Sequence, residues 1–584
     1  MNKLIQFFGL DLRSLAFFRV GLGLLILGDL IVRASALVAH YTDFGVLPRP
    51  ILLEQFINNW HVSAHLASGE TYFQILLFLL AGIFALMLLF GYKTRLATIA
   101  SWFLLISLHA RNPMVLQGGD VLFRMLLFWA MFLPLGARAS VDALRKPIMD
   151  NPPLHFSAAS VALFAQIILV YWMAAAHKTS IEWWSEGSAI YYALSLDQFT
   201  TPLGYLLYEY PVLMRGLTWA TIGTQIIAPA LLISPIWTTP LRWLGILPLA
   251  AMNTGMMLTM ELGPFPWVVF AGLAALLPSG FWQKLPSLLK TNKQQGLKIY
   301  YDADCGFCQA AAQFLRLFLL IPHAKLLPAQ SNAVVCKLME ERNSWVVTDY
   351  LERKHFQFDG FVALLAASPL FWPLVYPARL RPLAWLGNQV YVLVASHRQR
   401  SCQLLPQHQL VPHRSAFLAN GIVTILLALT ILWNLSDSKV TSVEFPESAK
   451  PLMWILRLDQ KWDMFSPYPL KEDGWYVLPG TLLDGTEVDV LTGKAVTYEK
   501  PAMVSATYPN ERWRKYLMNL WLRDNTDHRL WYGKYLCRDW NARQEGEQQL
   551  DNFQIIFMKE MSLPNYEIPK PEPVGLWEHF CFKE

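Results

Sequence analysis

Charged residues are scarce in this chain. Asp, Glu, Lys and Arg make up 16% of its 584 residues, whereas 54% are hydrophobic and 14% are aromatic. Soluble domains carry about 25% charged residues, so this composition excludes an ordinary soluble enzyme and indicates an integral membrane protein. The net charge of +5 is small for the length, and no basic cluster has interleaved aromatic residues. The sequence therefore excludes nucleic acid as a partner.

Cysteine is also scarce, with six residues in the chain. That number is too small for a disulfide scaffold, and only Cys305 and Cys308 are closely spaced. We interpret the other four as incidental, and we predict no metal site because no second close pair accompanies this one. The N-terminus, MNKLIQFFGLDLRS, carries no small-residue cleavage signature, so we expect no removable signal peptide.

Long apolar runs determine the architecture, because each is long enough, or nearly so, to cross a hydrocarbon core. They predict a polytopic α-helical membrane bundle with about nine spans. Asp120 and Arg124 lie four residues apart in the fourth run, so we expect them to form an ion pair. The runs cover residues 15–32, 72–90, 96–109, 121–135, 158–176, 216–233, 241–262, 265–277 and 417–433.

Changes in composition divide the chain into four parts. Residues 1–290 are predicted to form a transmembrane bundle, 295–402 an inserted α/β domain, 415–435 the last transmembrane helix and 442–584 a β-rich domain. Basic residues concentrate in alternate loops, which places the N-terminus and the inserted domain in the cytoplasm and the C-terminal domain outside. Residues 185–214, rich in Tyr and Leu, are expected to cover the outer mouth of the bundle.

A lysine, Lys178, follows the fifth apolar run within the sequence YWMAAAHKTSIEWW. A charge at this position is costly in lipid, so Lys178 should face a cavity, a partner or the membrane interface. One alternative is an interfacial anchor, since Lys and Trp at helix ends commonly reach toward headgroups. The small residues before it allow another helix to approach closely. We assign no role to His177, because adjacent helical residues point about 100° apart.

Three segments occur in one order: SLHARNPMVLQGGDVLFRMLLFWAMFLPLGARASVD, YWMAAAHKTSIEWWSEGSAIYYAL and ELGPFPWVVFAGLAALLPSGFW. Over about half the chain, they closely resemble the horizontally transferred transmembrane domain shared with vitamin K-dependent gamma-carboxylases. The resemblance implies that Lys178 is the base that deprotonates a reduced quinone, which requires a neutral amine. In that family, a histidine linked to carboxylation stands at the position of Ala137, and another histidine stands at the position of Asn253.

The inserted domain opens with a Cys-x-x-Cys pair where a strand at 297–301 is predicted to enter a helix at 306–320. This places Cys305 at the helix N-terminus, whose partial positive charge favours a thiolate. A strand at 325–327, a helix at 332–341 and a strand at 345–347 then predict a thioredoxin-like fold.

The segments YYDADCGFCQAAAQF and YVLVASHRQR are similar to the DCC family of thiol-disulfide oxidoreductases. We predict that Cys305 attacks and Cys308 resolves. Asp302 and Asp304 add negative charge that opposes thiolate formation, so two structural thiols are the alternative.

After the last apolar run, the sequence DQKWDMFSPYPLKEDGWYVLPGTLLDGTEVDVLTG predicts antiparallel strands with a hairpin turn at Asp484-Gly485. Apolar residues at helical spacing in ERWRKYLMNLW predict a core-facing helix. The two resemblances imply a carboxylase-like membrane protein that acts on a quinone or another lipid-soluble substrate, coupled to a thiol-disulfide oxidoreductase domain. Its expected partners are membrane lipids, a quinone and a thiol partner protein. A non-catalytic membrane scaffold or transport accessory, and a chain in which only the dithiol domain is active, are the alternatives.

Overall fold

The computed structural model describes residues 2–143, 154–396, 413–438, 441–522, 526–564, 567 and 569–582. Its first half is a helical bundle. The helix at 12–34 packs against those at 71–90 and 265–275, and the helix at 158–176 packs against the one at 211–232. Asp11 caps the helix at 12–34 by accepting a hydrogen bond from the amide of Arg13, and Ser157 caps the helix at 158–176 by accepting one from the amide of Ser160. The bundle contains α1 (Leu12–Ala34), α2 (Thr71–Phe90), α3 (Thr94–Arg111), α4 (Gly118–Ala130), α5 (Ala158–Ala176), α6 (Pro211–Leu232), α7 (Thr238–Thr259), α8 (Phe265–Ala275) and α9 (Ser279–Leu288).

The inserted domain is a four-stranded sheet with helices packed around it. In order across the sheet, the strands are β2 (Lys325–Pro328), β1 (Lys298–Tyr301), β3 (Val346–Thr348) and β4 (Lys354–Phe356). Strands β1 and β2 are parallel, whereas β3 and β4 run antiparallel to their neighbours. The predicted strands and helices are present within a few residues of their expected bounds. The helices are α10 (Gly306–Phe318), α11 (Ala333–Arg342), α12 (Gln357–Ala367) and α13 (Arg381–Ser396).

Helix α14 (His413–Asp437) returns to the bundle and packs against α5. Four described helices are individually long and apolar enough to cross a membrane: α1, α2, α5 and the part of α14 from Phe417 to Asp437. Helices α8 and α9 meet the same criterion only as a pair bent by 101°. The structure is thus compatible with an integral membrane protein, but four or five helices, rather than nine, meet this criterion.

The C-terminal region combines a five-stranded sheet with two helices. Strands β6 (Pro479–Leu482) and β7 (Glu487–Asp489) are joined by a tight turn at Asp484-Gly485, which confirms the predicted hairpin. The long strand β8 (Leu550–Met561) pairs with β5 (Glu472–Val477), β6 and β9 (Glu572–Phe580). The two helices are α15 (Glu511–Leu522) and α16 (Thr526–Asn541).

A disulfide joins Cys537 of α16 to the residue that follows β9, Cys581. The interpretation of these two cysteines as incidental was therefore wrong. Their separation of 44 residues hides the pairing in the sequence, because only the fold brings α16 against β9. Of the other two, Cys336 is a thiol on α11, and Cys402 lies outside the described residues.

A buried ion-pair network ties the bundle to the C-terminal region. Arg33 of α1 contacts Asp29 at 2.7 Å and Asp120 at 2.6 Å. Arg512 of α15 contacts the same two carboxylates, each at 2.6 Å. All four side chains are buried. Because two guanidinium groups balance two carboxylates, the network is electrically neutral where isolated charges would be prohibitively costly.

The predicted pair of Asp120 with Arg124 is wrong. Asp120 is occupied by Arg33 and Arg512, and Arg124 instead binds Asp459, which lies 335 residues later in the chain. Spacing of four residues on a helix makes a pair available. Here the C-terminal region supplies a competing partner to each side chain, and tertiary contacts determine the pairing.

We expect Arg512→Ala to destabilise the folded protein strongly, because it leaves Asp29 and Asp120 buried with half of their compensating charge. Removing one partner of a buried pair costs about 3–5 kcal/mol. Thermal unfolding of the purified protein in detergent measures the effect. Arg543→Ala is the matched control, since Arg543 forms an exposed pair with Asp539 and such pairs contribute little. Equal melting temperatures for the two variants would contradict a structural role for the network.

Candidate functional site

Lys178 lies two residues beyond the end of α5 and is almost completely buried, with 3% of its surface exposed. Its Nζ donates hydrogen bonds to the carbonyl oxygens of Ala174, at 2.8 Å, and Met464, at 3.2 Å. The same atom lies 4.9 Å from the ring centre of Trp183. The side chain therefore points into protein rather than toward lipid headgroups.

The surroundings of Lys178 favour its neutral form. Burial lowers the pKa of the amine from 10.5 to about 7, and the Asp463 carboxylate opposes this shift only partly. A neutral amine has two N–H bonds and one lone pair. Because two carbonyl oxygens accept both N–H bonds, the lone pair is left to accept a proton. The amine of Lys178 can therefore accept a proton near neutral pH.

The wall opposite Lys178 comes from residues 457–466, which we call the C-terminal segment. It enters the bundle core: Trp462 is fully buried, and Gln460 accepts hydrogen bonds from Trp462 and from Gln166 of α5. The carbonyl of Phe465 accepts a hydrogen bond from the indole of Trp183 at 3.0 Å. The expected cover at 185–214 is thus joined by a second layer, the C-terminal segment, which contacts Lys178 directly.

The other positions suggested by the sequence lie apart from the amine of Lys178. His177 faces Asp437 at 3.4 Å. Asn253 donates a hydrogen bond to the hydroxyl of Tyr171. Ala137 follows the C-terminal end of α4, whereas the first residue of α4, Gly118, lies against Met464 on the Lys178 side. Since 13 residues of helix span about 20 Å, Ala137 lies at the opposite end of the bundle from Lys178.

Arg514 on α15 is a buried cation that the sequence reasoning missed. Its guanidinium carbon lies 4.1 Å from the ring centre of Phe199, and none of its side-chain nitrogens has a hydrogen-bond partner among the described residues. Burial lowers the pKa of Arg514 to about 10. Phe199, in turn, contacts Phe465 of the C-terminal segment. Arginines in a helix expected to face the core were the signal that could have identified it.

Asp29, His109 and Asp120 form a second cluster whose ligand atoms all lie within 4.8 Å of one another. This spacing would suit a metal ion. However, Arg33 and Arg512 already occupy both carboxylates, so a cation would have to displace two guanidinium groups. We therefore assign the cluster a structural role.

In the inserted domain, Cys305 is the N-cap residue of α10 and Cys308 lies one turn later; both are thiols. The amide of Cys308 donates to the carbonyl of Cys305 at 3.0 Å. The nearby carboxylates of Asp302 and Asp304 both accept hydrogen bonds from the side chain of Gln330. This amide disperses part of the negative charge that the sequence places beside the cysteines.

Two family models match the chain. One, described as an HTTM domain, covers residues 7–279, and the other, a DCC1-like thiol-disulfide oxidoreductase, covers residues 299–404. No curated protein matches the chain, and no solved structure does. Both regions correspond to the predicted resemblances.

We expect Cys305 to be alkylated faster than Cys336 near neutral pH. Cys305 lies at the positive end of a 13-residue helix. In contrast, desolvation and the neighbouring Glu340 carboxylate raise the pKa of the Cys336 thiol. Iodoacetamide labelling followed by peptide mass spectrometry measures both rates in one sample. The Cys308→Ser variant should also trap a mixed disulfide on Cys305. Equal labelling rates would favour two structural thiols.

Proposed function

We propose that this chain, which carries an HTTM domain joined to a DCC1-like thiol-disulfide oxidoreductase domain, is a membrane enzyme with two reactive centres. In the bundle, Lys178 acts as a general base on a quinone or another lipid-soluble substrate. In the inserted domain, Cys305 and Cys308 cycle between dithiol and disulfide.

The observation that carries the first centre is the burial of Lys178 with both of its N–H bonds accepted by carbonyl oxygens. A lysine that merely anchored α5 at the headgroups would be exposed and charged. Here the two hydrogen bonds leave the lone pair of the neutral amine unused, and the ring of Trp183 would stabilise the ammonium ion formed when a proton is taken up. This arrangement favours the enzyme over the scaffold alternative.

The surroundings of Lys178 also fit an apolar acid as the proton donor. Trp183, Met464 and Phe465 supply an apolar wall, and a reduced quinone held there would supply a weakly acidic hydroxyl group. Lys178 would accept that proton, and Arg514, beyond Phe199, adds positive charge that favours an anionic product. The proposal covers proton abstraction and not carboxylation, because Ala137 stands where the carboxylases have a histidine linked to carboxylation, and Asn253 stands where they have another histidine.

For the second centre, we propose a thioredoxin-like fold. The strand order β2-β1-β3-β4, with one parallel pair and an antiparallel hairpin, supports it. So does the position of Cys305 at the helix that follows β1. In this arrangement, Cys305 attacks a disulfide of a partner protein, and Cys308 releases the mixed disulfide.

We further propose that the bundle crosses the membrane about nine times, with the N-terminus and the dithiol domain in the cytoplasm and the C-terminal domain outside. The distribution of basic residues supports this orientation. The disulfide between Cys537 and Cys581 supports it independently, because disulfides persist mainly in oxidising compartments.

Lys178→Arg should abolish catalysis while the protein still folds, because a guanidinium keeps its proton throughout the accessible pH range. The assay is the oxygen-dependent oxidation of a reduced, alkyl-tailed naphthoquinone in liposomes, which deprotonation accelerates. We expect a rate loss of about 100-fold or more, the typical contribution of a general base. The wild-type rate should rise with pH and level off above about 7, because the ammonium form present below the pKa of Lys178 cannot accept a proton.

Lys461→Arg is the matched control for this experiment. Lys461 belongs to the same C-terminal segment, but its side chain is mostly exposed and pairs with Asp463. It should keep the wild-type rate. A Lys178→Arg protein that retains full turnover would overturn the base assignment and favour the scaffold alternative.

Reporter fusions placed after Lys293 and after Lys450 should lie on opposite sides of the membrane, because α14, which lies between them, is long and apolar enough to cross it. Paired alkaline phosphatase and fluorescent-protein fusions measure the two sides independently. Activity of the same reporter at both positions would remove α14 from the set of spans.

A further inference from the structure

The dithiol domain contains a large apolar cavity beside Cys308. The cavity has a volume of about 730 Å³ and lies between α10, α12 and α13. Its wall includes the rings of Trp345, Phe358 and Phe361 together with aliphatic side chains, and among the described residues Asp302 is the only charged one that lines it. Cavities of about 300–1,000 Å³ with such linings typically bind small apolar molecules.

Helix α13 covers this cavity and is apolar on two faces. One face lines the cavity at a spacing of three and four residues, as in Leu383, Leu386 and Val390. The opposite face exposes two further large apolar side chains, Trp385 and Val392. Exposed apolar side chains of this size mark contact sites for protein or membrane. The outer face of α13 therefore fits a membrane surface.

The position of the domain agrees with a membrane-facing cavity. Phe318, at the end of α10, contacts Phe90, at the end of the membrane helix α2, with ring centres 5.9 Å apart. His323 also contacts the carbonyl of Pro286 in α9. The dithiol domain thus lies against the end of the bundle, where an apolar ligand dissolved in the bilayer can reach it.

We infer that the cavity beside Cys308 binds a lipid-soluble quinone that exchanges two electrons with the Cys305–Cys308 pair. This inference rests on the proposed dithiol activity. The apolar wall requires an uncharged ligand, and the thiol at the wall requires a ligand that can accept two electrons. Quinones meet both requirements, because they are uncharged and lipid-soluble in the oxidised and in the reduced form.

The reaction balances without another reactant. The Cys308 thiolate adds to a ring carbon of the quinone and forms an S–C bond. Cys305 then attacks the Cys308 sulfur, an S–S bond forms, and the S–C bond breaks with its electron pair passing to the ring. The two thiol protons end on the two quinone oxygens. One dithiol is oxidised to a disulfide, and one quinone is reduced to a hydroquinone.

The test uses the full-length reduced protein in liposomes and a benzoquinone with four ring substituents, one of them a ten-carbon tail. Because such a ring has no hydrogen to lose, exposed thiols such as Cys336 cannot form a stable thioether with it, whereas the reversible addition proposed for Cys308 remains possible. Quinone absorbance should fall by one equivalent per protein as the Cys305–Cys308 disulfide forms. Val390→Trp, which fills the cavity, should slow this reaction at least tenfold.

Val392→Trp is the matched control. Val390 and Val392 lie on the same helix and are similarly exposed, at 52% and 49%, but only Val390 lines the cavity. The control should keep the wild-type rate with the quinone. Equal slowing by both substitutions, or none by Val390→Trp, would overturn the inference.

A second probe, a small water-soluble disulfide, separates this inference from the proposed dithiol activity. All three proteins should reduce it at similar rates, because its attack on Cys305 does not need the cavity. A wild-type protein that reduces the disulfide but not the quinone overturns the quinone site and leaves the dithiol activity intact. A protein that reduces neither overturns both.

Discussion

The contact on which the rest of the structure depends is the double bridge that Arg512 makes to Asp29 and Asp120. Two buried carboxylates next to each other could not persist with a single arginine, because their mutual repulsion and desolvation would exceed what Arg33 alone compensates. Arg512 comes from the C-terminal region, so this region must be docked for the charges of the bundle to balance. Electrostatic neutrality therefore couples two parts of the chain that lie almost 500 residues apart.

Docking of the C-terminal region also creates the environment of Lys178. Phe465 and Met518 pack with Phe199 in one apolar cluster over the end of α5. The carbonyl of Met464 then completes the pair of hydrogen bonds that fixes the amine. Without this layer, Lys178 would face solvent or headgroups and would behave as an ordinary charged anchor. The lowered pKa of Lys178 thus depends on the assembled bundle and C-terminal region rather than on α5 alone.

This dependence explains how far the sequence could predict the molecule. Lys178 could be identified because a charge beside an apolar run is costly wherever the chain folds. The order of strands and helices around Cys305 could be predicted because hydrophobic periodicity and turn residues act locally. Helix spacing alone could not predict the partners of Asp120, since these come from α1 and α15. The disulfide between Cys537 and Cys581 and the contact of Gln166 with Gln460 likewise depend on pairings that only the tertiary structure creates.

In both proposed centres, a reactive group lies against an apolar wall. In the bundle, the wall lowers the pKa of an amine, and in the dithiol domain it selects the ligand. The central claim is that Lys178 is a neutral amine near physiological pH. Titration of its Nζ in the full-length protein, by NMR with ¹⁵N-labelled lysine and with Lys178→Arg used for assignment, measures this directly. A midpoint near 7 agrees with the account, whereas a midpoint near the ordinary lysine value of about 10.4 would contradict it.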